Sequence, residues 1–205
     1  MTNALRVLHV DEACVVVDKP AGLLAVPGRG ADKADCVAAR VQAQFTDALV
    51  VHRLDMATSG LMLLARGAHA QRVLSRAFAE RATHKRYVAI VHGVIAADEG
   101  EIDLPLIADW PNRPRQKVDP VHGRASLTRW RVLAREATRT RVELEPVTGR
   151  AHQLRVHLGA IGHPIVGDAL YAPDDAPRLM LHAAGLRFAH PTRGAPIEVT
   201  SPVPF

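Results

Sequence analysis

The stretch His52-Arg53-Leu54-Asp55-Met56-Ala57-Thr58-Ser59-Gly60-Leu61-Met62-Leu63-Leu64-Ala65-Arg66 sets a polar hexad, Asp55 to Gly60, between two apolar runs. The runs, Leu49 to Val51 before it and Leu61 to Ala65 after it, predict buried strands. Asp and Ser side chains bond nearby backbone groups and Gly permits positive φ, so the hexad reads as a loop, with Asp55 where the first strand gives out. A carboxylate aimed from such a loop, two residues after Arg53, can act as nucleophile or base; it can equally be an ordinary turn residue. Spacing by itself leaves both readings open.

The surrounding letters narrow the choice. His-Arg-Leu-Asp-x-x-Thr-Ser-Gly-Leu closely resembles the signature of the RluA family of pseudouridine synthases, and Asp18-Lys19-Pro20-Ala21-Gly22-Leu23 resembles that family's first signature. The resemblance extends to Leu181-His182-Ala183 and His190-Pro191, nearly the whole chain. It implies an isomerase that cleaves the N1 to C1′ bond of a uridine, turns the uracil and rejoins it through C5. Nothing is oxidised and no group is transferred, so no cofactor is expected. Such chemistry needs a base taken out of its stack, a carboxylate, a cation to keep that carboxylate ionised, and a general base for the C5 proton.

By the same resemblance Asp55 is the catalytic carboxylate, and Arg155, in Gly149-Arg150-Ala151-His152-Gln153-Leu154-Arg155, is the arginine that pairs with it. Tyr87, in Lys85-Arg86-Tyr87, stacks on uracil and offers its hydroxyl for proton transfer. Arg53 fills the stack that the flipped base vacates. The run Asp103 to Pro114 resembles the loop of the RluA subgroup, whose members modify a 23S ribosomal RNA stem-loop and transfer-RNA anticodon arms. The implied fold is α+β: a mixed, mostly antiparallel sheet in two halves, with flanking helices and a central cleft.

Composition agrees without deciding. A length of 205 residues with 48% hydrophobic and only 4% aromatic content supports one domain with an aliphatic core, 1–205, and leaves no room before Asp18 for an S4-type RNA-binding domain. The net charge of +5 comes from 22 Arg and 4 Lys, and guanidinium forks suit phosphate, although an Arg-for-Lys bias can also reflect genome composition. Cys14 and Cys36 lack metal spacing and read as reduced core residues. With neither a signal core nor a spanning apolar run, a cytoplasmic monomer without membrane contact is expected.

Taken in order, apolar runs at Leu5 to Val10 and Cys14 to Val17 predict strands, and Cys36 to Phe45 predicts a short helix with Asp35 as its cap. Ala70, Val73, Leu74, Ala77 and Phe78 lie on one face of a second helix. Lys85 to Gly93 and Glu101 to Ile107 read as strands, and Ser126 to Ala134 pairs with Thr140 to Leu144. Ala108 to Val118, with prolines at 111 and 114, is an extended basic loop whose Arg113, Arg115 and Lys117 alternate, candidates for RNA contact. A third helix opens from Gly149 and ends by Gly162-His163-Pro164; short strands follow at Leu179 to Leu181, Leu186 to Phe188 and Ile197 to Thr200. Irregular mixing of short strands and few helices argues for α+β over a doubly wound sheet.

Metal is weighed and set aside. His152 and His157 are five apart, about 140° around a helix, and the other histidines fall in separate segments. The competing classes are a non-catalytic RNA-binding module, which would have no use for a carboxylate aimed at RNA, and a small-molecule hydrolase, for which the sequence has neither a nucleophile elbow nor paired carboxylates at motif spacing. A synthase acting on a single ribosomal site is the nearer alternative.

Overall fold

The computed structural model describes residues 5–30, 33–172 and 176–205. They fall into two compact units, Met1–Lys85 with Ala183–Pro204, and Arg86–His182 with Phe205.

In the first unit β1 (Arg6–Val10) and β2 (Cys14–Lys19) form a hairpin whose turn is fixed by Asp11, its Oδ1 accepting from Ala13 N and Cys14 N at 2.8 and 2.9 Å. β4 (Ser59–Arg66) lies between β2 and β3 (Ala48–Val50), antiparallel to both. Its residues Ser59 to Ala65 are all buried, which explains the unbroken apolar run Leu61 to Ala65. Gly60 has φ +109°, and a Cβ there would lie 2.3 Å from Ala183 O. Only glycine lets the backbone approach so closely where the hexad enters the strand.

Helix α1 (Val37–Gln42) is shorter than its periodicity predicts, and its cap is Cys36, whose Sγ accepts from Ala39 N; Asp35 pairs with Arg40 instead. Helix α2 (Gly67–Ala79) packs on β3 and β4 through Ala70 and Leu74, while Val73, expected on that face, is 37% exposed.

In the second unit the strand containing Tyr87 is β5 (His84–His92), paired antiparallel from Tyr87 to His92 with β10 (Arg139–Pro146). β10 pairs with β9 (Leu127–Arg135), and β9 with β6 (Glu99–Asp103). The strand predicted over Glu101 to Ile107 is broken at Leu104-Pro105, beyond which β7 (Leu106–Ala108) pairs with β8 (Gln116–Val118) as a separate hairpin. So the basic loop is a hairpin tip with a 3-10 turn at Trp110–Asn112. Helix α3 (Gln153–Ala160) packs against β8, β9 and β10.

The chain closes with β11 (Leu181–Ala189), a continuous strand where two short segments were expected, and β12 (Pro196–Thr200), antiparallel to it. Cys14 and Cys36 are free and buried, as expected. Among the described residues no helix is long and apolar enough to cross a membrane.

The arginine surplus is unevenly available. On the exposed face of the second unit Arg129 pairs with Glu101, and Arg131 and Arg86 with Glu143. Such exposed pairs add little stability, but they neutralise that face. At the β7–β8 hairpin Arg113, Arg115 and Lys117 are all exposed.

Candidate active site

The Asp55 loop is held from both ends. Where β3 leaves β4 after Val50, the His52 ring takes over from the backbone ladder: Leu63 N donates to Nε2 at 2.9 Å, and the ring stacks on Phe78 at 4.4 Å. The bond requires a bare Nε2, so the proton of the neutral ring sits on Nδ1. Burial, and secondarily the Lys85 charge, pushes the imidazole down to about 3.

A pH dependence follows. Since the ring's ordinary value of 6.5 falls in the folded protein, the unfolded chain takes up the proton first on acidification. The contribution of this ring to stability should be complete above about pH 6.5, decline as pH falls towards 3, and at pH 5 be lower by roughly 2 kcal/mol. Urea unfolding at pH 7 and pH 5 should show this loss in the parent and less of it in His52→Gln. Equal acid losses in both would assign the effect to other groups.

On the far side Lys19, fully buried at the end of β2, directs Nζ to three carbonyls: Pro20 O at 3.0 Å, Leu23 O at 2.7 Å and Met56 O at 2.9 Å. Three acceptors match the three donors of an ammonium. Gly22 N donates to the same Met56 O at 2.9 Å. The two signatures, 18–23 and 52–61, are therefore one assembly, clamped at the carbonyl immediately after Asp55. Thr58 N closes the turn on Asp55 O at 3.1 Å, leaving Asp55 half-buried and Arg53 exposed. Asp55 thus stands in the middle of the loop, well past the end of β3 at Val50, and not at a strand's mouth as its spacing predicts.

The second unit carries Tyr87 and Arg155. Tyr87 is half-buried on β5, in register with Leu144. Gly149 to Ala151, expected as the first turn of α3, lie before it; His152 adopts a left-handed backbone, φ 53°, and the helix starts at Gln153. Gln153 fixes that start: its Oε1 accepts from Thr148 Oγ1 and Arg150 N, and its Nε2 donates to Leu127 O.

Arg155 faces inward, 5% exposed. Its Nε and Nη2 donate to the two carboxylate oxygens of Asp168 at 2.8 and 2.7 Å, a bidentate fork in which Asp168 is 1% exposed. Asp168 Oδ1 also accepts from Leu170 N and Tyr171 N. Tyr171 lies beneath the guanidinium, 5.1 Å from its ring centroid. The Tyr171 hydroxyl meets His152 Nδ1 at 2.7 Å and accepts from Gln116 N at 2.7 Å. One tyrosine therefore ties the start of α3, the Asp168 turn and the basic hairpin together. Asp168, Tyr171 and Lys19 escape a reading of residue types; the available signals were an Asp after Ile165-Val166-Gly167 and a Lys ending an apolar strand.

Two arrangements bear on metal. His157 is buried with both ring nitrogens engaged, Nδ1 by Thr128 Oγ1 and Nε2 by Leu104 O, so it is a core histidine. Two triads that share Asp11, His9-Asp11-Cys14 and Asp11-Glu12-His190, each bring three potential ligand atoms within 4.8 Å of one another. Arg193 already brings a cation there, 3.6 Å from Asp11, 3.3 Å from Glu12 and 3.0 Å from His190 Nε2, while His190 Nδ1 accepts from the backbone N–H groups of Thr192 and Arg193. Burial pushes the Cys14 thiol up to about 12, far from thiolate at neutral pH. The donor set fits a hydrogen-bonded polar cluster better than a metal.

Comparison with known proteins agrees with this architecture. A family model described as RNA pseudouridylate synthase matches residues 13–160. A Vibrio cholerae protein named dual-specificity RNA pseudouridine synthase RluA is 53% identical over 91% of this chain and 78% of its own length. The protein of the same name from Escherichia coli K12 is 48% identical, over 98% of this chain and 94% of its own. Among solved structures, human RNA pseudouridylate synthase domain containing 1 superposes with a TM-score of 0.82 at 30% identity, covering 98% of this chain and 84% of that one. The scaffold is that of an α+β RNA-modifying isomerase. The chain belongs to the RNA pseudouridylate synthase family, on the RluA branch.

Proposed function

We propose that this enzyme converts uridine to pseudouridine in stem-loops of both 23S ribosomal RNA and transfer-RNA anticodon arms, acting in the cytoplasm as a monomeric, single-domain catalyst. The observation that carries the dual substrate is near-full-length likeness, 48% identity over 98% of the chain, to a protein named for dual specificity.

Asp55 serves as the carboxylate that attacks or deprotonates, Arg155 keeps it ionised, and Tyr87 stacks on the uracil and moves the C5 proton. The bonds balance: the glycosidic bond at N1 breaks, the bond at C5 forms, C5 loses a proton and N1 gains one. The exposed Arg53 stands in for the flipped base, and the basic hairpin tip contacts the RNA backbone.

Mapping pseudouridine in cellular RNA from a deletion strain tests the substrate assignment. Loss of one 23S site and of anticodon-arm sites, restored by the wild-type gene, is expected; loss of the ribosomal site alone would make the enzyme single-specificity. The hairpin has its own test. Each phosphate contact adds roughly 0.7 to 0.9 to the slope of log affinity against log salt, so Arg115→Ala with Lys117→Ala should flatten it by about 1.5. An unaltered slope would remove both residues from the interface.

A further inference from the structure

We infer that Trp110 and Arg113 form a stacking platform that receives an unpaired base of the substrate RNA, an inference that rests on the RNA-modifying reading above. In a chain with only two tryptophans, Trp110 is 62% exposed, at the tip of the β7–β8 hairpin. An exposed indole gives up the burial that large rings ordinarily gain, and here it is not left bare on both faces. The Arg113 guanidinium lies 3.4 Å from the ring centroid, within stacking distance, so the two groups make one flat, cationic, π-rich surface. Unstacked RNA bases bind such surfaces, on aromatic rings and on arginine planes.

The platform is built to stay in place. Asp109 N donates to Arg115 O, Asn112 N to Asp109 O and Arg115 N to Asn112 O, closing the tip on itself, and the Asn112 side chain adds a bond to the Asp109 carboxylate. The base of the hairpin is fixed by Gln116 N on the Tyr171 hydroxyl, and the same tyrosine lies beneath Arg155 and donates its N–H to Asp168. Within the second unit the platform and Arg155 thus hang from one residue, and a base seated at Trp110 is held in register with Arg155. This changes the role of Arg113: its guanidinium face is spent on the indole, so it acts in stacking, whereas Arg115 and Lys117 are left for phosphates.

The probes are a short stem-loop RNA with unpaired loop uridines and a blunt duplex of the same stem. In a Trp130→Phe background Trp110 is the sole tryptophan, and saturating stem-loop should quench its fluorescence while the duplex does not. In the otherwise wild-type chain, Trp110→Ala should weaken the stem-loop by about tenfold or more, the scale of one base–aromatic stack. Its salt slope should not change, because no phosphate contact is lost. Duplex affinity and melting temperature should also be unaltered, and Arg113→Lys, which keeps the charge but not the plane, should lose part of the same affinity. Stem-loop affinity of Trp110→Ala within about twofold of the parent, or an equal loss on stem-loop and duplex, overturns the platform. Pseudouridine formation by the parent, measured on the same preparations, tests the enzymatic reading separately: an inactive parent sinks that reading, and tight binding by Trp110→Ala sinks only the platform.

Discussion

Asp55→Asn should abolish pseudouridine formation, by at least about a thousandfold, the scale seen when a group that reacts covalently is removed. The exchange is nearly isosteric and deletes only the anion. It also separates the two readings of this residue with unusual clarity, because Asn is as good a turn former as Asp. If Asp55 were there for its turn, the variant would keep its activity. Several of the loop's fastenings run through other groups: Thr58 N bonds the Asp55 main-chain carbonyl, Met56 O is held by Lys19 and Gly22, and His52 holds Leu63. The variant should therefore fold and still bind stem-loop RNA. Pseudouridine measured by nucleoside chromatography after single-turnover incubation reads the result; turnover within about tenfold of the parent would remove Asp55 from the chemistry.

How much of this was legible depended on whether a residue's neighbours lie close in sequence. Most of the strand β4 and of the loop before it could be read directly, because the buried positions Leu61 to Ala65 must look apolar and a polar stretch between such runs must turn. The pairing of β9 with β10 was equally plain, two runs joined by a short connection. What the sequence hid were long-range exchanges. Lys19 ordinarily belongs at the surface; it is fully buried only because three carbonyls from two loops converge on it, one of them from Met56, far along the chain. Asp168 looks like a turn residue until Arg155 is brought beside it. Local errors have local causes: Pro105 ends a strand that its apolar neighbours would continue, and the left-handed His152 delays a helix whose motif begins at Gly149. The aromatic and basic residues of the hairpin tip were visible as letters, but the stacking of Arg113 on Trp110 was not, since alternation suggested that Arg113 acts with Arg115 and Lys117.

The second large effect is expected at Asp168, where Asp168→Asn should lower stability by roughly 3 to 5 kcal/mol, the cost of leaving one member of a buried ion pair behind. Arg155 is 5% exposed and Asp168 1%, so water cannot replace the lost charge. An amide also has the wrong hydrogen-bonding pattern for this position. Both carboxylate oxygens accept, Oδ2 from Arg155 Nε and Oδ1 from Arg155 Nη2, Leu170 N and Tyr171 N. Whichever way the Asn amide turns, its NH2 faces another donor. The damage should spread along Tyr171 to the hairpin, since Tyr171 N is one of those donors and its hydroxyl holds Gln116 N. A urea midpoint measures the loss, and a change below about 1 kcal/mol would mean that the fork is not the brace its burial implies. The double variant Asp168→Leu with Arg155→Met separates stability from function. Removing both charges together should recover much of the stability, because a buried ion pair gains little over a well-packed apolar pair. Activity should stay absent if Arg155 serves the reaction. A double variant that is both stable and active would reduce Arg155 to a structural residue and return the search for the cation beside Asp55 to the rest of the chain.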